Sequence, residues 1–193
     1  MATEPRAFRP GDAALAALPV IWAAAEASLF FIVADVAIGW IALRRGWRAG
    51  VLAGLAAALA AGLGGAGLYA WSAREPARVE RLIESLPAVP QGAVAAAAAD
   101  LQSDDWRDRM LFAAFSGKPY KLYAAAGPRT NISAAELAAA TPGARLPRFM
   151  LIALGFAVLG GALRGRLTPR TTLGLYVGGW IGFYAAFWAL TPG

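Results

Sequence analysis

Long apolar runs with few or no charges constrain this chain before anything else does. Ala49–Trp71 and Thr171–Leu190 contain no Asp, Glu, Lys or Arg, and Ala13–Leu43 contains only Glu26 and Asp35. About 20 residues of helix cover the ~30 Å hydrocarbon core of a bilayer, so the two uncharged runs read as spans. Ala13–Leu43 is too long for that. As one helix it would reach about 46 Å, so it must break or fold back. Pro19 and the two acids make the same point, and the segment Leu29–Ala34 is where the break is expected.

Composition agrees with this reading. The chain is 59% hydrophobic and 16% charged, with a mean hydropathy of +0.52, far from a soluble domain. Its net charge of +6 must sit in short loops, which favours a lipid surface over nucleic acid as partner. With no Cys and no His, disulfides, thiolate nucleophiles and the usual base and metal ligands are missing. No enzyme, no cofactor and no metal are therefore expected.

The expected fold class is all-α: a polytopic helical membrane protein with two re-entrant, broken hairpins packed among spanning helices. A polar lead-in covers 1–12 and a single membrane domain covers 13–193. Within that domain the reading gives a broken or re-entrant helix at 13–43, a span at 49–71 and an extramembrane amphipathic arm at 73–109. A second re-entrant element follows at 110–145, where Gly117, Lys118, Pro119 and Lys121 interrupt the apolar run. Spans at 147–164 and 171–190 complete it.

Gly50, Gly54, Ala58, Gly62 and Ala66 form one close-packing stripe, and Gly174, Gly178 and Gly182 form another. These stripes leave a homo-oligomer open. Trp180, Tyr184 and Trp188 read as interface aromatics. The basic turns at Arg44, Arg45 and Arg48 and at Arg164, Arg166 and Arg170 place both loops on the cytoplasmic side.

Ionisable groups inside apolar runs need a reason. A charge at bilayer depth costs about 3 kcal/mol on insertion scales and faces a cavity or a partner. Glu26 and Asp35 lie on opposite sides of a straight helix, so a break is needed to point both inward. The plainer alternative pairs them with Arg for structure alone. Arg145 and Arg148 flank Pro147, read as the first residue of a helix, where the dipole and free N–H groups favour anions. The planar guanidinium suits phosphate. Both could equally be headgroup anchors, and Lys118 and Lys121 could simply snorkel.

Two stretches carry a family resemblance. AEASLFFIVADVAIGWIALRRGWRAGVLAGLAAALAAGLGGAGLYAW resembles the amino-terminal half of the DedA (VTT-domain) membrane proteins, in particular their YqaA-like branch. There an acid, a hydrophobic segment and a second acid precede an Arg-rich turn and a Gly-rich helix. SGKPYKLYAAAGPRTNISAAELAAATPGARLPRFMLIALG resembles the other half, a Pro-Tyr-Lys segment and then paired arginines before Phe.

The matches cover about residues 23–71 and 116–155. Two departures stand out: Phe31–Ala34 replaces the prolines that usually precede the second acid, and Pro147 lies between the arginines. The resemblance implies two re-entrant hairpins in a bacterial inner membrane and movement of phosphate-bearing lipids, polyprenyl phosphate or phospholipid, coupled to protons. Carried onto this chain, it makes Glu26 and Asp35 proton-coupling residues and assigns Arg145, Arg148 and Lys121 to the lipid phosphate. A membrane scaffold that packs through its glycine stripes is the rival.

Overall fold

The computed structural model describes residues 10–28 and 32–190, with side chains from residue 17 onward. Among the described residues there are nine α-helices: α1 Pro10–Glu26, α2 Asp35–Arg45, α3 Trp47–Arg74, α4 Pro76–Glu84, α5 Ala93–Leu101, α6 Trp106–Ser116, α7 Tyr120–Ala126, α8 Ala134–Leu163 and α9 Pro169–Leu190. A 3-10 turn, Gly127–Arg129, follows α7 directly and leads towards α8. Three helices, α3, α8 and α9, are long and apolar enough to cross a membrane.

The pairing of α3 with α8 is the centre of the molecule, and small residues make it. Gly50 lies against Ala42 and Ala153, Gly54 against Met150 and Phe149, and Gly62 against the carbonyl of Ala138, where any Cβ would stand 2.9 Å away. Ala57, Ala58 and Ala61 are fully buried, while Leu52, Leu55, Leu59 and Leu63 point outward. Small residues inside and leucines outside is the pattern of helices associating in lipid, where close backbone approach replaces the hydrophobic drive. The stripe on α9 differs: nothing approaches Gly174, Gly178 or Gly182 within 4 Å.

The first apolar run is broken as its length requires. α1 ends at Glu26 and α2 begins at Asp35, with residues 29–31 of the expected break outside those described. α2 then turns into α3 across Gly46 alone, whose φ of +86° a side chain would resist. The polar lead-in expected over 1–12 lies outside the described residues up to residue 9, and Pro10, Gly11 and Asp12 already belong to α1.

The last part of the expected second re-entrant element needs correction. The helix expected to begin at Pro147 begins at Ala134, because Ser133 and Glu136 form a capping box: the Glu136 N–H donates to Ser133 Oγ at 3.2 Å and the Ser133 N–H to Glu136 Oε2 at 2.8 Å. Pro142 and Pro147 sit inside this 30-residue helix. Pro142 deprives the Ala138 carbonyl of its helical donor, and it is that carbonyl which rests on Gly62. Prolines are accommodated in such helices where neighbouring helices close around the freed groups.

The stretch expected as an extramembrane arm is α4, α5 and the start of α6, and it folds back on the rest. Val79 and Ile83 of α4 and Val94 and Ala97 of α5 are buried, whereas Arg78 and Arg81 remain exposed. Arg129 clamps the arm through Glu80, at 2.7 and 3.1 Å. Asp100 accepts from Lys118 at 2.6 Å and from the Tyr123 hydroxyl at 2.9 Å, tying α5 to the Gly117–Pro119 break and to α7.

Candidate functional site

The two acids and the two arginines meet. Arg145 Nη2 donates to both carboxylate oxygens of Glu26, at 2.6 and 2.7 Å, and all of this is buried. Arg148 pairs with Asp35, its Nε donating to Oδ2 at 2.8 Å and its Nη2 to the same oxygen. The Arg148 side chain keeps 30% of its surface exposed, while Asp35 keeps 2%. Ionised groups this enclosed persist only when each has a counter-charge and hydrogen bonds.

Local structure explains how they come together. Arg145 and Arg148 are three apart, hence neighbours on one face of α8. They stand near the middle of that helix and not at its start, so the expectation that they share a helix N-terminal dipole site is corrected: the capping box moves the positive end to Ser133, about 18 Å away. Their anion affinity must come from the guanidinium groups alone. Ring faces hold Arg145 in place, with Phe149 4.9 Å and Tyr120 5.7 Å from its guanidinium carbon. Tyr120 is itself fixed by a 2.6 Å hydrogen bond with Thr141, also on α8.

A helix break inside an apolar body exposes backbone groups that something must satisfy. Here side chains do it. The Ala34 N–H donates to Glu26 Oε2 at 2.9 Å, the adjacent Val33 N–H to the Tyr184 hydroxyl at 2.8 Å, and the Trp22 indole to the Ile32 carbonyl at 2.9 Å. Glu26 therefore serves the backbone and Arg145 at once. The second break is tied in as well, since Arg148 Nη1 donates to the Ala114 carbonyl in the last turn of α6, at 2.9 Å. Arg148 thus touches both interrupted segments.

These groups border a cavity of about 430 Å³ lined by Glu26, Lys118, Lys121, Arg145 and Arg148 on its polar side. Its apolar side includes Phe115 of α6, Leu151 of α8 and Phe183 and Trp188 of α9, each substantially exposed. The loop Leu86–Val89, from the arm, closes one end, with Ala88 at a φ of +60°. Lys121 is buried beside Glu26 and Arg145, so four of the five sequence-predicted site residues line one space, and Asp35 joins them through its ion pair with Arg148.

Sequence reasoning missed Tyr184 as a partner of the break, since a tyrosine near a helix end reads as an interface anchor. It also missed Asp100 and Thr141, which carry no motif, and gave Tyr120 no role beyond its place in the Pro-Tyr-Lys segment. The S-x-x-E sequence at Ser133 was a readable signal for the start of α8. No cluster of carboxylates suited to a metal occurs among the described residues.

Comparison of the chain with protein-family models, curated proteins and solved structures returns no match. The resemblance to the DedA proteins rests on its quoted stretches of sequence alone.

Proposed function

We propose that this chain is a DedA-like transporter or flippase of the bacterial inner membrane that moves a phosphate-bearing lipid, polyprenyl phosphate or phospholipid, coupled to protons. The observation that carries the reading is the pairing of Glu26 with Arg145 and of Asp35 with Arg148, both arginines lining one cavity that is cationic on one side and apolar on the other. In this reading the two interrupted segments are re-entrant hairpins, the arrangement by which transporters bring polar groups to the midplane.

The chemistry follows from competition for the guanidinium groups. A phosphate and a carboxylate offer the same acceptor geometry to an arginine fork. Protonation of Glu26 or Asp35 removes the internal competitor and frees the arginine for a headgroup. Deprotonation restores the ion pair and expels it. Lys121 adds positive charge on the same wall.

Reconstituted vesicles with an imposed proton gradient test this. Glu26→Gln and Asp35→Asn are expected to lose the gradient dependence of lipid movement, with transport lowered at least tenfold. Full, gradient-dependent transport by Glu26→Gln would end the proton role.

One observation favours a second reading. The bare glycine stripe at Gly174, Gly178 and Gly182 is a surface of the kind that packs a partner helix, as in a non-transporting scaffold or homo-oligomer. Arg145→Gln separates the two: a scaffold retains its assemblies, whereas a transporter loses lipid movement.

A further inference from the structure

α9 is attached to the rest of the molecule in an unusual way. Of its residues only Tyr176 is buried, and two tyrosine hydroxyls two turns apart hold it to the first break and the start of α2. Tyr176 donates to the Val36 carbonyl at 2.6 Å, and Tyr184 accepts from the Val33 N–H at 2.8 Å. Between them, ring contacts of Tyr176 with Trp40 and Phe156 fill the seam. Its glycines meet nothing, so no close backbone approach pins it as Gly50, Gly54 and Gly62 pin α3.

α9 is also a wall of the cavity, through Phe183, Tyr184, Phe187 and Trp188. The cavity is too small for a whole lipid, since even one drug-sized ligand occupies several hundred cubic ångströms. A ligand anchored at the arginines by an anionic head must therefore pass its hydrocarbon chain out of the cavity. The rim formed by Phe115, Leu151, Phe183 and Trp188 is apolar and exposed, which makes it a poor outlet to water and a good one to lipid.

The amide held by Tyr184 is next to the amide held by Glu26. A rearrangement that takes the Glu26 carboxylate off Ala34 leaves the Tyr184 hydroxyl as the side-chain partner of this pair of adjacent amides. We propose that α9 is the movable side wall through which the hydrocarbon chain of an anionic amphiphile leaves the cavity, with the Tyr184 hydroxyl as the latch that couples this wall to the Glu26–Arg145 pair. This rests on the phosphate-lipid reading of the site. Tyr184 is a positioning residue: it acts through the Val33 peptide and not on the headgroup.

The chain has no cysteine, so spin labels can be placed at will. Leu63→Cys on α3 and Leu190→Cys at the end of α9 are both strongly exposed and lie outside the site. Pulsed electron paramagnetic resonance in lipid nanodiscs then reads the distance between the two helices, with dodecyl phosphate as the probe amphiphile and inorganic phosphate as the chainless control. Tryptophan fluorescence reports binding of each.

Dodecyl phosphate is expected to add a second distance population, and inorganic phosphate is not. Tyr184→Phe, which removes one hydroxyl and no bulk, is expected to raise that population about fivefold without ligand, the effect of one lost hydrogen bond. Binding of dodecyl phosphate with an unchanged distance overturns the movable wall while leaving the site reading intact. An equal response to inorganic phosphate overturns the role of the chain, and wild-type behaviour in Tyr184→Phe overturns the latch. Failure of dodecyl phosphate to bind at all removes the lipid reading and this proposal together.

Discussion

The ion pairs on α8 and those of the arm are built from the same side chains but do different work. Glu26–Arg145 and Asp35–Arg148 hold carboxylates that are 10% exposed or less, whereas Glu80–Arg129 is about a third exposed on both sides. Water can replace a lost partner in the second case, and in the first only at the Arg148 guanidinium. The outer pairs fasten one helix to another. The inner pairs exist only because each charge needs the other, and anything that satisfies one partner releases its mate.

The largest effect is expected where one partner is removed and the other stays buried. Arg145→Ala leaves Glu26 uncompensated and should cost about 3–5 kcal/mol, read as a large fall in Tm in detergent. A Tm within a degree or two of wild type would mean that water reaches Glu26 and that inner and outer pairs are alike. Arg148→Ala strands Asp35, whose side chain is only 2% exposed, and should cost a similar amount, about 3–5 kcal/mol. The double change Asp35→Asn with Arg148→Gln should recover much of that loss, since no charge is left stranded.

The arm sharpens the comparison through pH. Burial pushes the Asp100 carboxyl up, but the hydrogen bonds from Lys118 and Tyr123 and the charges of Lys118 and Arg109 outweigh it, so its pKa lies below the ordinary 3.8. A lowered carboxylate contributes stability above its unfolded value of about 3.9 and loses it as pH falls through the folded value. Asp100→Asn should cost about 1–2 kcal/mol at pH 7, and its Tm should begin to approach wild type as pH falls below about 4, meeting it only once pH is below the folded value. Persistence of the full difference at pH 3 would show that Asp100 acts through packing. The smallest effect belongs to Arg129→Ala, about 0.5 kcal/mol, weakened further by salt.

The interior was legible in the sequence where a residue type contradicted its surroundings. Glu26, Asp35, Arg145 and Arg148 stand out because charges in apolar runs demand partners. The Gly50, Gly54 and Gly62 stripe could be read because helix periodicity alone puts those positions on one face. Proline misled, since Pro147 as a helix start is a rule of helices in water, and α8 runs through it without a break. Tyr184 and Asp100 could not be read at all. Their partners are 151 positions away for the first and 18 and 23 for the second, and nothing local announces a hydroxyl that will meet a distant peptide.

The capping box at Ser133 and Glu136 fixes more than the beginning of a rod. Every residue of an α-helix advances the azimuth by about 100°, so the cap sets the compass bearing of Arg145 and Arg148, and Thr141 repeats that bearing where it meets Tyr120. Inserting a single alanine between Ser133 and Thr141 would keep the composition and the length of α8 nearly unchanged, yet swing one side of it out of phase with the other. Either the cap would slip or both guanidinium groups would turn towards the surrounding hydrocarbon, which makes the seven residues between Ser133 and Thr141 a ruler.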